Sequence, residues 1–544
     1  MSGEAPTGGL RRGGALQRLL PRSAGRSQVL RRMLEIHPAA LLTGLGVVVF
    51  TVVFGRLGVE NHRNFGTWAY DMAIYDQAMW LVSRGESFMT IRGLDVWGHH
   101  VNLIFFAFVP AYWLGAGPSF LYVVQAFVLG LGAVPTYLIA RDRFAQPAMG
   151  LVFAVVYLMY APVQWISWAM FHPEALVITP FLFAWWCATR ERWGWYFVAV
   201  LVALSTREDV ALAVVVLGLC VGLALRKAPD AARVRRMAVA TSVLGVAWYL
   251  VATAIVIPYF NDGEVPFYIS YFYGHYGDTA GEVLLEILQR PDRVVSDAVQ
   301  PDRLMFYKQM SWPMGWVFLA SPVGLLMALP QLLASVITLT PYARMIRYQY
   351  TAVMIAPVVI ASISGAAALA RYRTVRILLP LWLLGCAYVS NVAWSPSPIA
   401  KPENQSVWAI PQPRHDSLRA ALAMIPDDAS VAASYQLGPH LSGRSQVYDW
   451  PNPFKPNYWG NDTCANLPSP TLVEYVVLDK TQIGESNLPL YELIVQEGGA
   501  FEVLLEDNEV MLAKRIGTTP ALDEQPQRDS CLELERRAAA RAAD

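Results

Sequence analysis

Long apolar runs separated by short polar connections follow one another through residues 38–394. A helix needs about 20 apolar residues to cross the hydrocarbon core of a bilayer. Dividing the runs at their polar connections predicts eleven membrane-spanning helices. They cover residues 38–57, 118–140, 148–166, 174–189, 193–206, 209–225, 237–258, 313–328, 331–341, 350–370 and 376–394.

Four of the connections are rich in arginine, and basic connections of membrane proteins stay mostly in the cytoplasm. Placing all four in the cytoplasm puts the N-terminus there as well and the C-terminal part outside. The four are RDR at 141–143, RER at 190–192, RKAPDAARVRR at 226–236 and RYRTVR at 371–376.

This orientation requires two apolar segments to stay on one side. Residues 101–114 are short and interrupted by Pro110, so we expect them to form a helix on the outer surface. Residues 312–340 must leave the outer side and return to it, which predicts a hairpin of two short helices that turns near Pro330.

The two ends of the chain differ in amino-acid composition from the apolar part. Residues 1–37 are rich in Gly, Ser and Arg, which predicts a disordered cytoplasmic tail attracted to anionic lipid. After a Pro-rich linker, residues 395–518 show short strand patterns and are predicted to form a small exported α/β domain. Residues 519–544 form a charged tail.

Within the exported domain, residues 416–424 read as a helix and four runs read as strands. Asp507 and Asn508 supply a hairpin turn inside the last run, because Asp and Asn tolerate the backbone angles of tight turns. The runs are residues 430–435, 475–479, 491–496 and 501–515.

The composition is typical of a membrane protein and gives no indication of nucleic-acid binding. The chain of 544 residues is 55% hydrophobic and 15% charged, well below the quarter of charged residues that is usual in soluble proteins. Lys plus Arg and Asp plus Glu balance at 42 each, so no basic field indicates nucleic acid. Cys464 and Cys531 could form a disulfide if the C-terminal part is exported.

The predicted topology collects the conspicuous polar residues on the outer face. This convergence is the main indication of function, because charges at a bilayer boundary usually face a cavity or a partner. The outer segments are the loop 59–117 with its polar stretch 64–102, the turns WAMFHPE (168–174) and TRED (206–209), the loop 259–311 and YARMIRYQY (342–350).

The polar stretch 64–102 carries Asp71 and Asp76 in a sequence of helical composition. At about 100° per residue the two carboxylates point about 140° apart, so they do not pair on one helix face. Tyr75 shares the face of Asp71. One aspartate could accept a proton from a bound hydroxyl, or both could form the polar side of an interfacial helix.

The histidines leave several functions open. His99 and His100 could ligate a metal, bind phosphate or lie at the interface, while His172 and Glu174 belong to a turn that needs polar residues in any case. A divalent cation is therefore possible, and no zinc-type cysteine spacing is present.

Charged residues also mark two further outer turns. Arg207, Glu208 and Asp209 interrupt apolar sequence and either face a pocket or pair with one another. Arg344 and Arg347 are outer-side cations that could grip a lipid phosphate, since guanidinium matches phosphate oxygens in a bidentate way, or extend to lipid headgroups.

Together these residues predict one outer-facing site beside membrane helices. Such a site suits a polyprenyl-phosphate-linked sugar, with the lipid in the plasma membrane, the phosphate on arginine and the sugar under the loop. The acceptor would be a glycan, lipid or protein of the cell envelope. A transporter or lipid-handling protein is the alternative, since intramembrane charges and Pro-broken helices occur there too.

Several motifs resemble a known family. YDMAIYDQAMW, GHHVNLIFF, FHPEAL, TREDVAL and the later IPDDASVAASYQLGPHLSGRSQVYDWPNPF resemble the bacterial and archaeal family of predicted membrane proteins called domain of unknown function 2079. That family is similar in layout to the GT-C glycosyltransferases, integral-membrane enzymes that use polyprenyl-phosphate sugars.

The resemblance implies roles for two residues. Asp71 takes the place of the catalytic aspartate in the first outer loop of GT-C enzymes, and Arg207 falls where many of them carry a lysine. Their usual Asp-Glu pair is Asp71-Met72 here, and the HH and FHPE motifs belong to the unknown-function family alone. A non-catalytic shell with the GT-C layout is therefore a further alternative.

Overall fold

The computed structural model describes residues 37–543 except 262, 264–267, 460–463, 465 and 466. The predicted N-terminal tail therefore lies outside the described residues, apart from His37. That residue caps the first helix, because its Nδ1 accepts a hydrogen bond from the backbone N–H of Ala39.

Most of the described chain is helical, and several helices are long and apolar enough to cross a membrane. A bent pair, Pro147–Leu158 and Ala161–Trp168 with a 44° angle between them, would form one more span. The predicted total of eleven crossings stays a prediction. Five helices among the described residues pass by length and composition alone: Pro38–Arg63, Pro118–Phe144, Ala231–Phe260, Gln349–Leu369 and Arg373–Trp394.

Shorter apolar helices pack among these. They match the predicted segments 174–189, 193–206 and 209–225 in position, and many of their side chains belong to the same buried apolar cluster. Turns of two or more polar residues end each of them. Their bounds are Ile178–Thr189 after the 3-10 turn Pro173–Val177, Trp193–Leu204 and Val210–Ala224.

The hairpin predicted to turn near Pro330 is wrong, because Pro330 lies inside one helix, Pro322–Ile337. The chain reverses earlier, after the 3-10 turns Trp312–Met314 and Val317–Ala320. Val317 packs against Gly365, while Gln331 hydrogen-bonds the carbonyl of Tyr350 at 2.8 Å. Residues 317–331 therefore run antiparallel beside Gln349–Leu369, from near the C-terminal end of that helix back to its N-terminal end.

The loop 59–117, called the first outer loop after its predicted side, contains only short helices, turns and strands. Residues 101–114, predicted as one surface helix, form the 3-10 turn Leu103–Ala107 and the helix Val109–Trp113. The rest of the loop holds a π-helical turn Ala69–Ala73, the helices Ile74–Val82 and Val96–His99, and the paired strands β1 (Phe88–Met89) and β2 (Leu94–Asp95).

The second long outer loop is helical where it is described. Its last helix leads into the segment that reverses beside Gln349–Leu369. The helices are Tyr268–Tyr273, Ala280–Gln289, Pro291–Ala298 and Pro301–Ser311.

The C-terminal domain contains a five-stranded mixed sheet of order β4-β3-β5-β7-β6. Strands β3 and β4 are parallel, as are β3 and β5, whereas β7 pairs antiparallel with both β5 and β6. Asn508 and Glu509 form the β6–β7 turn with positive φ angles of 47° and 65°. The strands are β3 Val431–Ala433, β4 Val447–Asp449, β5 Tyr475–Asp479, β6 Phe501–Asp507 and β7 Val510–Arg515.

One predicted strand is wrong and one strand escaped prediction. Residues 491–496 belong mostly to the helix Leu488–Val495, in which Leu490 and Ile494 are buried one turn apart. Strand β4 has only three residues and lacks an alternating pattern that local reading could detect. The predicted helix 416–424 is present as Arg414–Ala423.

The disulfide that the sequence left open is formed between Cys464 and Cys531. The disulfide attaches the tail helix Gln525–Ala543 to the C-terminal domain. The predicted charged tail is therefore helical over residues 525–543. Such bonds persist in oxidising compartments, which agrees with the predicted export of this domain.

The C-terminal domain packs directly on the first outer loop. One buried apolar cluster includes Met72, Met79 and Ile91 from the loop together with Val431 and Val477 from the sheet. Thr90 adds polar contacts, because its hydroxyl donates to the carbonyl of Val447 and accepts from its N–H, both at 2.9 Å. Loop and domain therefore share one core.

Candidate functional site

The five predicted outer segments lie together in the structure. The stretch after His100 is bonded to the TRED turn, since the Val101 N–H donates to Glu208 Oε2 at 3.1 Å. The second long loop joins them, because Tyr268 donates to Glu208 Oε1 at 3.3 Å. The turn at residues 168–174 and the segment 342–350 complete the cluster through the contacts described below.

Asp71 lies in the π-helical turn Ala69–Ala73, whose first N–H donates to the carbonyl of Tyr435 at 2.9 Å. The C-terminal domain approaches closely here: a Cβ on Gly438 would lie 3.2 Å from that of Ala69. The Asp71 side chain is 26% exposed, and its Oδ1 lies 3.3 Å from His172 Nε2. The C-terminal domain and His172 therefore position the Asp71 carboxylate from two sides, and the side chain stays partly exposed.

His172 is 3% exposed and is fixed from a membrane helix. Its backbone N–H donates to Gln125 Oε1 at 2.9 Å, and Gln125 Nε2 donates to the carbonyl of Ile166 at 2.8 Å. The His172 Nδ1 has no hydrogen-bond partner among the described residues. The imidazole is thus oriented toward Asp71 by its backbone and by its buried surroundings.

Tyr75 lies between Asp71 and the charged turns. Its ring contacts that of His172 edge-on with centroids 5.2 Å apart. Burial raises the pKa of Tyr75, the charges of Glu174 and Asp71 add to the rise, and Arg207 opposes it. The phenol is therefore neutral and within electrostatic range of all three charges.

Arg207 is already paired with two carboxylates. Its Nε donates to Asp209 Oδ1 at 2.7 Å and its Nη2 to Asp209 Oδ2 at 2.5 Å, while Nη1 bonds Glu174. Glu174 is fully buried, and its Oε2 has no partner among the described residues. This arrangement matches the self-paired alternative for the TRED turn more closely than an open anion site.

Glu208 pairs with His100 through a 2.8 Å contact between Oε1 and Nδ1. Burial by itself raises the pKa of Glu208, but the His100 charge and hydrogen bond outweigh it and lower that pKa below its usual value. His99 lies beside them, and burial lowers the pKa of His99 so that its imidazole is neutral. Glu208, His100 and His99 therefore lie among the polar segments next to Arg207.

Asp76, also predicted in the site, is turned away from Asp71. Tyr112 donates to its Oδ1 at 2.6 Å and Ser442 to its Oδ2 at 2.7 Å. Burial raises the pKa of Asp76 to about 6, although both hydrogen bonds act in the opposite direction. Its carboxylate joins the loop to the C-terminal domain.

Arg344 and Arg347 line a neighbouring cavity of about 280 Å³. Arg344 donates to Asp302 Oδ2 and to the carbonyl of Thr338, both at 2.6 Å. Arg347 is exposed and lies over the Trp165 ring, 4.7 Å from its centroid, with no ion-pair partner among the described residues. The Arg344 guanidinium is therefore already hydrogen-bonded within the protein, whereas the Arg347 guanidinium is available to a ligand.

Tyr348, the chain neighbour of Arg347, responds to the charge of Asp71. Burial raises the pKa of Tyr348, the Asp71 charge adds to the rise, and Arg347 opposes it. The charges of Asp71 and Arg347 therefore act on one phenol, although the two residues lie far apart in the chain.

Sequence reasoning missed Arg92 and Tyr435. Arg92 is 1% exposed and its guanidinium lies 6.0 Å from the Tyr70 ring centroid. Tyr435 follows β3, and its ring meets that of Tyr70 edge-on at 5.7 Å. A lone Arg in a polar loop and a Tyr beyond a strand carry no local pattern that would single them out.

No group of three or more metal-ligating side chains that could hold an ion occurs among the residues that the structure describes. His99 and His100 are adjacent, with ring centroids 4.4 Å apart, and His100 is bonded to Glu208.

Comparisons with known proteins place these observations in a family. Fourteen chains of solved structures match; one is the crystal structure of ArnT from Cupriavidus metallidurans bound to undecaprenyl phosphate, with a TM-score of 0.48 and 12% identity. The alignment covers 86% of this chain and 97% of that one. A search of curated proteins finds no significant match. The model of the predicted membrane protein family DUF2079 matches residues 61–512, and the chain belongs to that family.

Proposed function

We propose that the protein transfers a sugar from a polyprenyl-phosphate donor to an acceptor hydroxyl at the outer face of the plasma membrane. One relationship carries the proposal: a partly exposed carboxylate, Asp71, and an exposed cation, Arg347, act with opposite sign on the pKa of the same phenol, Tyr348. A base beside a phosphate-binding cation is what glycosyl transfer from a lipid phosphate needs.

Asp71 is the proposed general base. It accepts the proton of the acceptor hydroxyl while the oxygen attacks the anomeric carbon of the donor sugar. The bond from that carbon to the phosphate oxygen breaks, and polyprenyl phosphate leaves with the electron pair. Attack opposite the leaving group inverts the anomeric configuration. His172 holds the Asp71 carboxylate through the 3.3 Å contact of Nε2 with Oδ1.

Arg347 is the proposed ligand of the donor phosphate. Arg207 is occupied by Glu174 and Asp209, and Arg344 by Asp302 and the Thr338 carbonyl. Arg347 is exposed on the cavity and can give two parallel hydrogen bonds to phosphate oxygens. Negative charge grows on the leaving phosphate during transfer, so a cation there stabilises the transition state.

The cavity itself suits the lipid part of the donor. Trp165, Met305, Phe306, Ile346 and Trp394 line it beside the two arginines. Trp165 lies near the end of the helix Ala161–Trp168, and Trp394 ends the helix Arg373–Trp394. Tryptophan is common at the membrane boundary, which is where we expect these helix ends to lie. The first isoprene units would pack on these side chains, with the phosphate at Arg347.

The test uses the full chain in nanodiscs with a panel of polyprenyl-phosphate hexoses and pentoses and a mixture of cell-envelope acceptors. Mass spectrometry follows donor binding and release of polyprenyl phosphate. We expect wild type to bind and release, and Asp71→Asn to bind normally but release at least about 100-fold more slowly, as loss of a general base predicts.

Asp76→Asn is the matched control, because it removes a carboxylate from the same loop at a position turned away from Asp71. Equal rates in wild type and Asp71→Asn would reject Asp71 as the base. Donor binding without release in wild type would favour a non-catalytic shell, and absence of binding would favour a transporter.

A further inference from the structure

Asp71 has a second neighbourhood on the side of the C-terminal domain. There the aromatic rings of Tyr70, Tyr271, Tyr435 and Trp459 come together from three separate segments of the chain. Tyr70 meets Tyr435 at 5.7 Å, and Tyr271 meets Trp459 at 4.8 Å, both edge-on. We call these four residues the aromatic cluster.

Arg92 joins the two halves of the aromatic cluster. Its guanidinium lies 6.0 Å from the Tyr70 ring centroid and 5.9 Å from that of Trp459. Burial of Arg92 among aromatic rings keeps their spacing fixed and brings guanidinium hydrogen-bond donors to the same place.

Three of the four rings retain open faces. Tyr435 is 36% exposed, Trp459 38% and Tyr271 40%, although each touches another ring or chain segment. Exposed aromatic faces near polar donors are typical of sites that accept amphipathic ligands. A sugar ring is such a ligand, with C–H groups on its faces and hydroxyls around its edge.

The sheet of the C-terminal domain brings a carboxylate to this place. Tyr435 follows β3 and Asp449 ends the neighbouring parallel strand β4, so both lie at the carboxyl edge, where open α/β sheets bind ligands. Asp449 is 4% exposed, and its Oδ1 has no hydrogen-bond partner among the described residues.

The aromatic cluster also borders the proposed base. Tyr70 is the chain neighbour of Asp71. Burial raises the pKa of Tyr435, and the Asp71 charge adds to that rise. Asp71 thus adjoins the aromatic cluster through Tyr70.

We infer that the aromatic cluster, with Arg92 and Asp449, is a carbohydrate subsite that holds a neutral sugar unit of the acceptor, with its hydroxyl directed toward Asp71. The inference rests on the proposed function and narrows it to a glycan acceptor. Sugar C–H groups pack on Trp459 and Tyr435, and hydroxyls hydrogen-bond to the polar groups behind them.

Saturation-transfer NMR on the full chain in nanodiscs tests the subsite. The probes are methyl glycosides of glucose, galactose, mannose and arabinose and their linear trisaccharides. We expect saturation of sugar ring protons in wild type, and an at least fivefold weaker effect in Trp459→Ala and Tyr435→Ala. Trp459→Phe should restore part of the signal, since it keeps an aromatic face.

Trp195→Ala is the matched control, because Trp195 is 62% exposed on an apolar helix outside the aromatic cluster. It should leave the signal unchanged. Absence of saturation transfer for every probe, or equal signals in wild type and both alanine variants, would overturn the subsite.

The NMR experiment, combined with the donor-turnover assay on the same variants, separates the two proposals. Sugar binding by wild type that depends on Trp459 and Tyr435, without any donor turnover, would retain the subsite and reject the transferase. Donor turnover with an unchanged acceptor KM in Trp459→Ala and Tyr435→Ala would retain the transferase and reject the subsite.

Discussion

Asp71 Oδ1 and His172 Nε2 lie 3.3 Å apart, with 26% of the Asp71 side chain exposed and 3% of the His172 side chain. The aspartate comes from the loop 59–117 and the histidine from the turn between the helices Ala161–Trp168 and Ile178–Thr189. Because the exposed member is the carboxylate, the proposed mechanism gives Asp71 the contact with substrate and makes His172 a positioning residue that acts through it.

Replacing His172 by alanine should lower kcat by roughly 10-fold and leave KM nearly unchanged, because the carboxylate loses its orientation but stays present. His172→Asn can still donate one hydrogen bond, so it should recover part of the rate. Steady-state kinetics on both variants provide the measurement. A rise in KM with unchanged kcat would show that His172 contributes to binding instead.

Arg347→Ala should weaken donor binding by roughly 10- to 150-fold, as expected for loss of hydrogen bonds to a charged group worth about 1.5–3 kcal/mol. Arg347→Lys should recover the charge but little of the two-pronged geometry. Titration with a fluorescent polyprenyl phosphate measures both.

Arg344→Ala is the comparison for Arg347. It leaves Asp302 and the Thr338 carbonyl without their guanidinium partner, so we expect a lower melting temperature and a smaller change in donor affinity. A larger affinity loss in Arg344→Ala than in Arg347→Ala would exchange the roles assigned to the two arginines.

Asp76→Ala should destabilise the protein by about 1–3 kcal/mol, because the hydroxyls of Tyr112 and Ser442 lose their buried acceptor. Thermal unfolding in nanodiscs would register the loss. At a temperature where the variant is folded, its KM for donor should equal that of wild type. A changed KM there would return Asp76 to the substrate site, as the sequence predicted.

Asp449 gives a dependence of stability on pH with a defined sign. Burial raises its pKa to about 8, above the value of about 4 in an unfolded chain. Between these values the folded state holds a proton that the unfolded state has lost, so stability falls as pH rises, by at most about 1.4 kcal/mol per pH unit.

Asp449→Asn removes this titration. The variant should therefore unfold at a higher temperature than wild type at pH 8, with the difference shrinking toward pH 5. Melting curves of the full chain at several pH values measure it, and a difference that grows toward low pH would contradict the assignment.

Local signals in the sequence were sufficient for much of the architecture. Apolar runs located the helices Pro38–Arg63 and Arg373–Trp394, and strand patterns located β5 and the β6–β7 hairpin. These features depend on length, periodicity and turn residues, all of which are encoded within a few neighbouring positions. Asp71, Tyr75 and His172 were also singled out as candidates from their types and their outer location.

The tertiary structure decided what depends on distant partners. The sequence left open whether Arg207 faces a pocket or pairs with nearby charges, and the structure pairs it with Glu174, 33 positions earlier, and with Asp209. The chain reverses before Pro330, which lies inside the helix Pro322–Ile337. Most of residues 491–496 belong to a helix, in which Leu490 and Ile494 face one core. Sequence alone determines which residues can carry charge or form a span. Which charges neutralise one another and which remain open to a substrate depends on packing between segments hundreds of residues apart.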